Sequence, residues 1–168
     1  MNPIIRELTI NDLRYYKDIR LELLKKHPTN FGSSDEEERL FSHAQWVKRL
    51  GNEKTKTIGL FVNQKIVGLS VLLMNPRKKM KHLGSIHSFY VKREFRRNGL
   101  AKQMLNYIEK LAIKSGLNRL SLSVVETNKE AIGFYIKNGF IESGKEVDVI
   151  HHEGRYYSLI VMSKKIDD

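Results

Sequence analysis

Cysteine is absent from all 168 residues. That absence excludes disulfide bridges, thiolate metal sites and any covalent intermediate carried on a cysteine. Histidine offers little in compensation. His151-His152 is the one adjacent pair, and neighbours on a strand point to opposite faces, which is poor for chelating one ion. No metal is expected. No apolar run approaches the roughly 20 residues that a membrane-spanning helix needs. The opening Met1-Asn2-Pro3-Ile4-Ile5-Arg6 lacks the apolar core of a secretory signal. A cytoplasmic location without a membrane partner is the expectation. Acids are also short, 19 against 30 basic residues, for a net charge of +11. Such a balance suits an anionic partner. The basic cluster Asn75-Pro76-Arg77-Lys78-Lys79-Met80-Lys81-His82 carries no interleaved aromatics of the kind that stack nucleic-acid bases. It reads as a solvated, mobile loop between two strands, with a basic nucleic-acid-binding module as the lesser alternative.

What is present describes a globular α/β chain. Hydrophobic residues at 40% and charged residues at 29% are ordinary proportions, and the length allows a core without staples. One domain over residues 1–168 is expected, with no repeat, linker or low-complexity run. Ile4 to Thr9 reads as a strand, and Asn11-Asp12 opens a helix reaching about Lys26. Pro28 to Ser34 is a loop. Ser34 then caps a second helical region whose first turn is acidic and whose apolar face is Leu40, Ala44, Val47 and Leu50. Thr57 to Val62 and Lys65 to Met74 form a hairpin around Asn63-Gln64. Glu142 to Ile150 and Arg155 to Met162 close the chain as two strands. The order implies a mixed, mostly antiparallel sheet flanked by helices.

The richest stretch lies between Ile86 and Gly116. Ile86 to Val91 is an apolar strand, and Leu100 to about Lys114 has helical periodicity. The turn between them contains Arg96-Arg97-Asn98-Gly99-Leu100-Ala101-Lys102. A helix start presents unpaired N–H groups and the positive end of the helix dipole, which together favour a phosphate or pyrophosphate. Gly99 lets the backbone approach such an anion, and Ala101 keeps the next face open. The Gly-x-x-x-x-Gly-Lys-Ser/Thr and Gly-x-Gly-x-x-Gly loops are both missing, which excludes the common nucleotide-binding turns.

Arg96-x-x-Gly99-x-Ala101 after a strand resembles the acetyl-CoA loop of the GNAT superfamily of N-acetyltransferases. A second segment agrees with it. Leu120 to Val125 alternates as a strand does, and Asn128, Ala131, Phe134-Tyr135 and Gly139-Phe140 follow in the family's order and spacing. The two matches together span Ile86 to Phe140.

This resemblance implies a GNAT-like fold whose splayed central strands hold acetyl-CoA. Phe89, Tyr90 and Val91 would lie along the thioester and pantetheine. Arg96, Arg97, Asn98, Gly99, Leu100, Ala101 and Lys102 would bind the pyrophosphate, and Asn128, Ala131 and Tyr135 would complete the cofactor site. The implied activity is transfer of an acetyl group to a primary amine by direct attack in a ternary complex. Tyr135 stands where the family places a general acid for the departing thiolate. The base is open among Glu126, His87 and Ser88, because Ser123 occupies the position at which some members carry a Glu. The acceptor, a small-molecule or peptide amine, would meet Phe31, Glu36 and Tyr156. A homodimer is compatible with the sequence. A catalytically silent acyl-CoA sensor is the main alternative within the same fold.

Overall fold

A computed structural model describes residues 2–166; Met1, Asp167 and Asp168, at the ends of the expected 1–168 domain, lie outside the described residues. In chain order the elements are Ile4–Glu7 (β1), Leu13–Lys26 (α1), Asp35–Arg39 (α2), His43–Lys48 (α3), Thr55–Val62 (β2) and Lys65–Met74 (β3). Leu83–Val91 (β4), Leu100–Lys114 (α4), Arg119–Val125 (β5), Lys129–Lys137 (α5), Ile141–His152 (β6) and Arg155–Lys165 (β7) follow. The strands form one seven-stranded sheet in the order β1-β2-β3-β4-β5-β7-β6. Every pairing is antiparallel except β4 with β5, so the sheet is mixed and mostly antiparallel.

Local chemistry explains the boundaries. Asn63 and Gln64 take φ of +48° and +63°, the left-handed pair that a two-residue hairpin turn requires. Asp12 accepts from the Thr9 backbone N–H at 2.9 Å and from both terminal nitrogens of Arg6, at 2.8 and 2.7 Å. The strand expected to reach Thr9 therefore ends at Glu7, and a short 3-10 turn over Ile10–Asp12 leads into α1.

The second helical region differs from its expected form. Ser42 opens a fresh capping box with Gln45, which splits the segment into α2 and α3. The helical phase restarts there, so Leu40 is left 86% exposed while Trp46 and Leu50 are buried. The buried face belongs to Trp46 and Leu50, with Phe41 packed beside them, rather than to Leu40 and Ala44. The basic segment between β3 and β4 includes a 3-10 turn, Lys78–Met80.

Helices cover both faces of the sheet. α1 and α3 contribute Tyr16, Ile19, Leu23, Leu24 and Trp46 to one apolar cluster with Phe61, Leu69 and Tyr90. On the other face, α4 buries Leu100, Met104, Leu105, Ile108 and Ala112 against Ile58, Leu72, Ile86 and Leu120. Those α4 residues recur at the spacing of one helical stripe. Each fully buried Leu or Ile contributes roughly 1.5–3 kcal/mol from area removed from water.

The feature that positions the site lies at the centre of the sheet. β4 and β5 are paired only from Leu83↔Arg119 to Ser85↔Ser121. Beyond that point they run on to Val91 and Val125 without pairing, and a cleft opens between them.

Candidate active site

The cleft is a cavity of about 850 Å³. It runs from the β4–β5 fork to the start of α4, and the loop after α1 forms one wall. At the fork, β4 contains a bulge. Leu69 pairs with Tyr90 and Val71 with His87, so Ser70 alone faces both Ser88 and Phe89. Ser88 takes φ of +54°, a left-handed value that a non-glycine residue rarely adopts. The Lys92 N–H donates to Val67 O at 2.8 Å on the β3 side. Since successive strand N–H groups alternate in direction, the N–H group of Val91 faces the cleft, and the bulge interrupts that alternation at Ser88 and Phe89.

At the other end, Gly99 has φ of +74° and serves as the N-cap of α4. A Cβ there would meet nothing within 4 Å, so the backbone stands open to the cleft. Gln103 donates to Gly99 O at 3.1 Å as the helix ladder begins. The N–H groups of Leu100, Ala101 and Lys102 therefore have no intrahelical acceptor. Near the helix start, Arg96, Arg97 and Lys102 line the cavity against one lining carboxylate, Glu130, among the described residues. An anion at this helix start is strongly favoured.

A family model for the acetyltransferase (GNAT) family matches residues 17–140. The chain belongs to the GNAT acetyltransferase family. Solved structures agree along the whole length. An acetyltransferase of the GNAT family from Streptococcus pneumoniae superposes with a TM-score of 0.81 at 26% identity, covering 98% of this chain and 100% of that one. Ribosomal-protein-alanine N-acetyltransferase from Brucella melitensis gives 0.79 at 19% identity, covering 96% and 99%. The yncA protein from Salmonella typhimurium, solved with its cofactor acetyl-CoA, gives 0.79 at 18% identity, covering 100% and 96%.

In this GNAT chain, most of the residues singled out from the sequence converge on the cleft. Phe89, Tyr90, Val91, Arg96, Arg97, Gly99, Ala101, Lys102, Asn128, Ala131 and Tyr135 all line it, as do Phe31, His87 and Ser88. Leu100 sends its side chain into the core instead, leaving its N–H at the turn. Asn98 is exposed beside the cleft and is not part of its lining. Three others stand apart. Glu36 is exposed on α2. Tyr156 is 62% exposed and stacks on His151 with ring centroids 4.5 Å apart. Glu126 pairs with Lys145 at 2.7 Å, and that hydrogen bond holds its carboxyl below the usual range.

Tyr135 sits at the floor of the cleft. Its ring packs edge-on against Phe89, Phe134 and Phe140, with centroids 5.2–5.9 Å apart. Burial pushes its phenol well above the ordinary value, so it stays protonated across the neutral range. Its hydroxyl has no hydrogen-bond partner among the described residues. Asn128 caps α5 by accepting from the Ala131 N–H at 3.2 Å, which leaves its amide NH₂ for the cleft. His87 Nε2 is 2.7 Å from Ser85 Oγ, and desolvation shifts its pKa below the ordinary value, toward the neutral ring.

The site also holds residues that sequence reasoning passed over. Arg20 lines the cleft from α1, and its guanidinium is bound by the fully buried carboxylate of Glu38. His27 faces Arg96 at 3.4 Å, and burial with the neighbouring Arg96 and Lys26 charges lowers its pKa. One signal for Arg20 is in the sequence: it interrupts the apolar stripe Tyr16, Ile19, Leu23, Leu24, where a charge needs a buried partner.

Proposed function

We propose that this protein transfers the acetyl group of acetyl-CoA to a primary amine, by direct attack within a ternary complex. The observation that carries the reading is the fork between β4 and β5, which leads into the unpaired N–H groups and basic side chains at the start of α4. A ligand with an anionic pyrophosphate at one end and an extended, apolar-to-amide arm fits that layout.

Acetyl-CoA would supply a thioester whose carbonyl carbon accepts an amine. The turn from Arg96 to Lys102 would hold the pyrophosphate. The N–H group of Val91, which faces the cleft, and that of Phe89 at the bulge would stabilise negative charge as it develops on the carbonyl oxygen. Tyr135 would give its proton to the departing sulfur, a role suited to a phenol kept protonated by burial. Asn128 would orient the acyl region through its free amide hydrogens. Of the candidate bases, His87 and Ser88 line the cleft, and Ser88 Oγ is engaged by Arg20, which favours His87. Glu126 is engaged by Lys145 outside the lining. The amine would enter past Asn30, Phe31, Gly32 and Ser33.

Release of CoA thiol from acetyl-CoA, measured against a panel of small and peptide amines, tests the activity. With an acceptor in hand, initial velocities should give intersecting double-reciprocal lines and no acetyl group trapped on the protein after acid quench. Parallel lines with a retained radiolabelled acetyl group would overturn direct attack. Failure of acetyl-CoA to bind would remove the reading altogether.

A further inference from the structure

The strained point of the cleft is tied to a buried charge network on the opposite element. Ser88 is the non-glycine residue that holds φ of +54° inside β4, at the bulge that leads into Phe89 and Val91, both of which line the cleft. A residue in that region reverts to extended backbone unless its surroundings hold it. Two contacts do so. From the β3 side, the buried Ser70 donates to His87 O at 3.3 Å. From the helical side, Arg20 Nη1 donates to Ser88 Oγ at 2.8 Å.

Arg20 is itself fixed. Its Nε and Nη2 donate to the two oxygens of Glu38 at 2.9 and 2.7 Å, a bidentate pair that sets the plane of the guanidinium. Glu38 is fully buried and also accepts from both terminal nitrogens of Arg49, at 2.9 and 3.2 Å. Its carboxylate is thereby neutralised and saturated. The fork geometry leaves Nη1 of Arg20 with one direction to point, toward Ser88. α1 is also clamped two residues on, where Glu22 accepts from Tyr90 Oη at 3.1 Å and pairs with Lys92 at 2.9 Å.

We infer that Arg20, oriented by Glu38, is a positioning residue for acetyl transfer: its bond to Ser88 keeps the β4 bulge in the shape that aims backbone N–H groups at the substrate carbonyl. The inference rests on the proposed acetyl-CoA reading and adds to it a control point on α1 that does not touch the reacting atoms. It makes a distinct claim about where a perturbation is felt. Loss of Arg20 should change the polarisation of the bound carbonyl more than the grip on the cofactor, because the pyrophosphate turn is built from other residues.

The test requires no knowledge of the acceptor. Acetyl-CoA labelled with ¹³C at the acetyl carbonyl is bound to the protein, and the carbonyl stretch is read by isotope-edited infrared spectroscopy. In the wild-type protein the band should move to lower wavenumber than in solution. Ser88→Ala and Arg20→Met should lose most of that displacement while acetyl-CoA affinity by calorimetry changes less than about threefold. Adding Ser88→Gly to Arg20→Met should recover much of it, since glycine holds φ of +54° unaided. If Arg20→Met does not fold, Ser88→Ala decides, because it leaves the Arg20–Glu38 pair intact. A band displaced equally in wild type and Ser88→Ala would overturn the inference while leaving the acetyl-CoA reading standing. Absence of binding to the wild-type protein would instead sink that reading.

Discussion

Arg96 Nε donates to the carbonyl oxygen of Val91 at 2.8 Å, so the first arginine of the basic turn fastens the turn to the end of β4. Its guanidinium also lies 5.9 Å from the centre of the Tyr90 ring. Charge and fastening are therefore combined in one side chain, and they can be separated. Arg96→Lys keeps the charge and loses the planar fork. We expect Arg96→Lys and Arg96→Met to weaken acetyl-CoA binding comparably, by about tenfold, or about 1.4 kcal/mol. Titration calorimetry at low and high salt checks this. If charge alone mattered, Arg96→Lys would bind as wild type, and the Arg96→Met defect would fade as salt screens it.

Gly99 joins the turn to α4 at φ of +74°, with open space where a side chain would begin. Gly99→Val meets two penalties: a β-branched residue resists that backbone, and its methyl groups would enter the space facing the helix N–H groups. Acetyl-CoA affinity should collapse by 100-fold or more, about 2.7 kcal/mol, while the melting temperature of the unliganded protein falls by only a few degrees. Undiminished binding in calorimetry would remove the turn from the cofactor site.

Tyr135→Phe preserves the ring packing against Phe89 and Phe140 and removes one hydroxyl. The expected loss is about 10²-fold in kcat with little change in acetyl-CoA affinity, the signature of an interaction used in the chemical step. Burial raises the pKa of this phenol, so its proton is retained as pH rises through the neutral range and beyond. Wild-type turnover should accordingly show no decline assignable to Tyr135 below about pH 10. Full turnover by Tyr135→Phe, with chemistry shown to limit the rate, would assign the residue to packing.

The Arg6–Asp12 pair contributes to acid stability. The hydrogen bond from Arg6 lowers the Asp12 pKa to about 2. A carboxyl depressed in the folded state stabilises the fold above its unfolded pKa of roughly 4, and that contribution disappears as pH falls toward 2. Because Arg6 is 44% exposed and screened, the contribution at neutral pH is about 1–2 kcal/mol. Asp12→Asn should lower stability by that amount at pH 7 in denaturant titrations and by almost nothing at pH 2. An equal loss at both pH values would assign the effect to the cap rather than to charge.

Several parts of this arrangement were legible in the residues alone. α4 begins at Leu100 and ends at Lys114 as the periodicity indicates, because Gly99 and the Ser115-Gly116 turn bracket a continuous apolar stripe. The hairpin at Asn63-Gln64 was equally plain. The division between α2 and α3 was not, since Leu40 and Ala44 complete an apolar pattern across a break that one serine cap imposes. The acids Asp35 to Glu38 show the harder limit. Four consecutive carboxylates look alike in sequence, yet only Glu38 is buried, because the phase of α2 against α1 aims that one at Arg20 and Arg49. Long-range register also hid the exclusion of Glu126 and Tyr156 from the cleft lining, which depends on how β6 and β7 fold back beside β5.

The short pairing between β4 and β5 carries a consequence for the sheet itself. A sheet ordinarily has two edges, here the outer flanks of β1 and β6. Parting the central strands beyond Ser85 and Ser121 creates two more, facing each other inside the molecule with ladder groups unsatisfied by either neighbour. Such rims invite a strand from another chain when they lie on a surface. Recessed beside α4, α5 and the loop after α1, these rims line a cleft that suits a narrow, extended ligand able to hydrogen-bond to them. The gap acts as a reserved strand position, and whatever occupies it becomes, for that moment, part of the sheet.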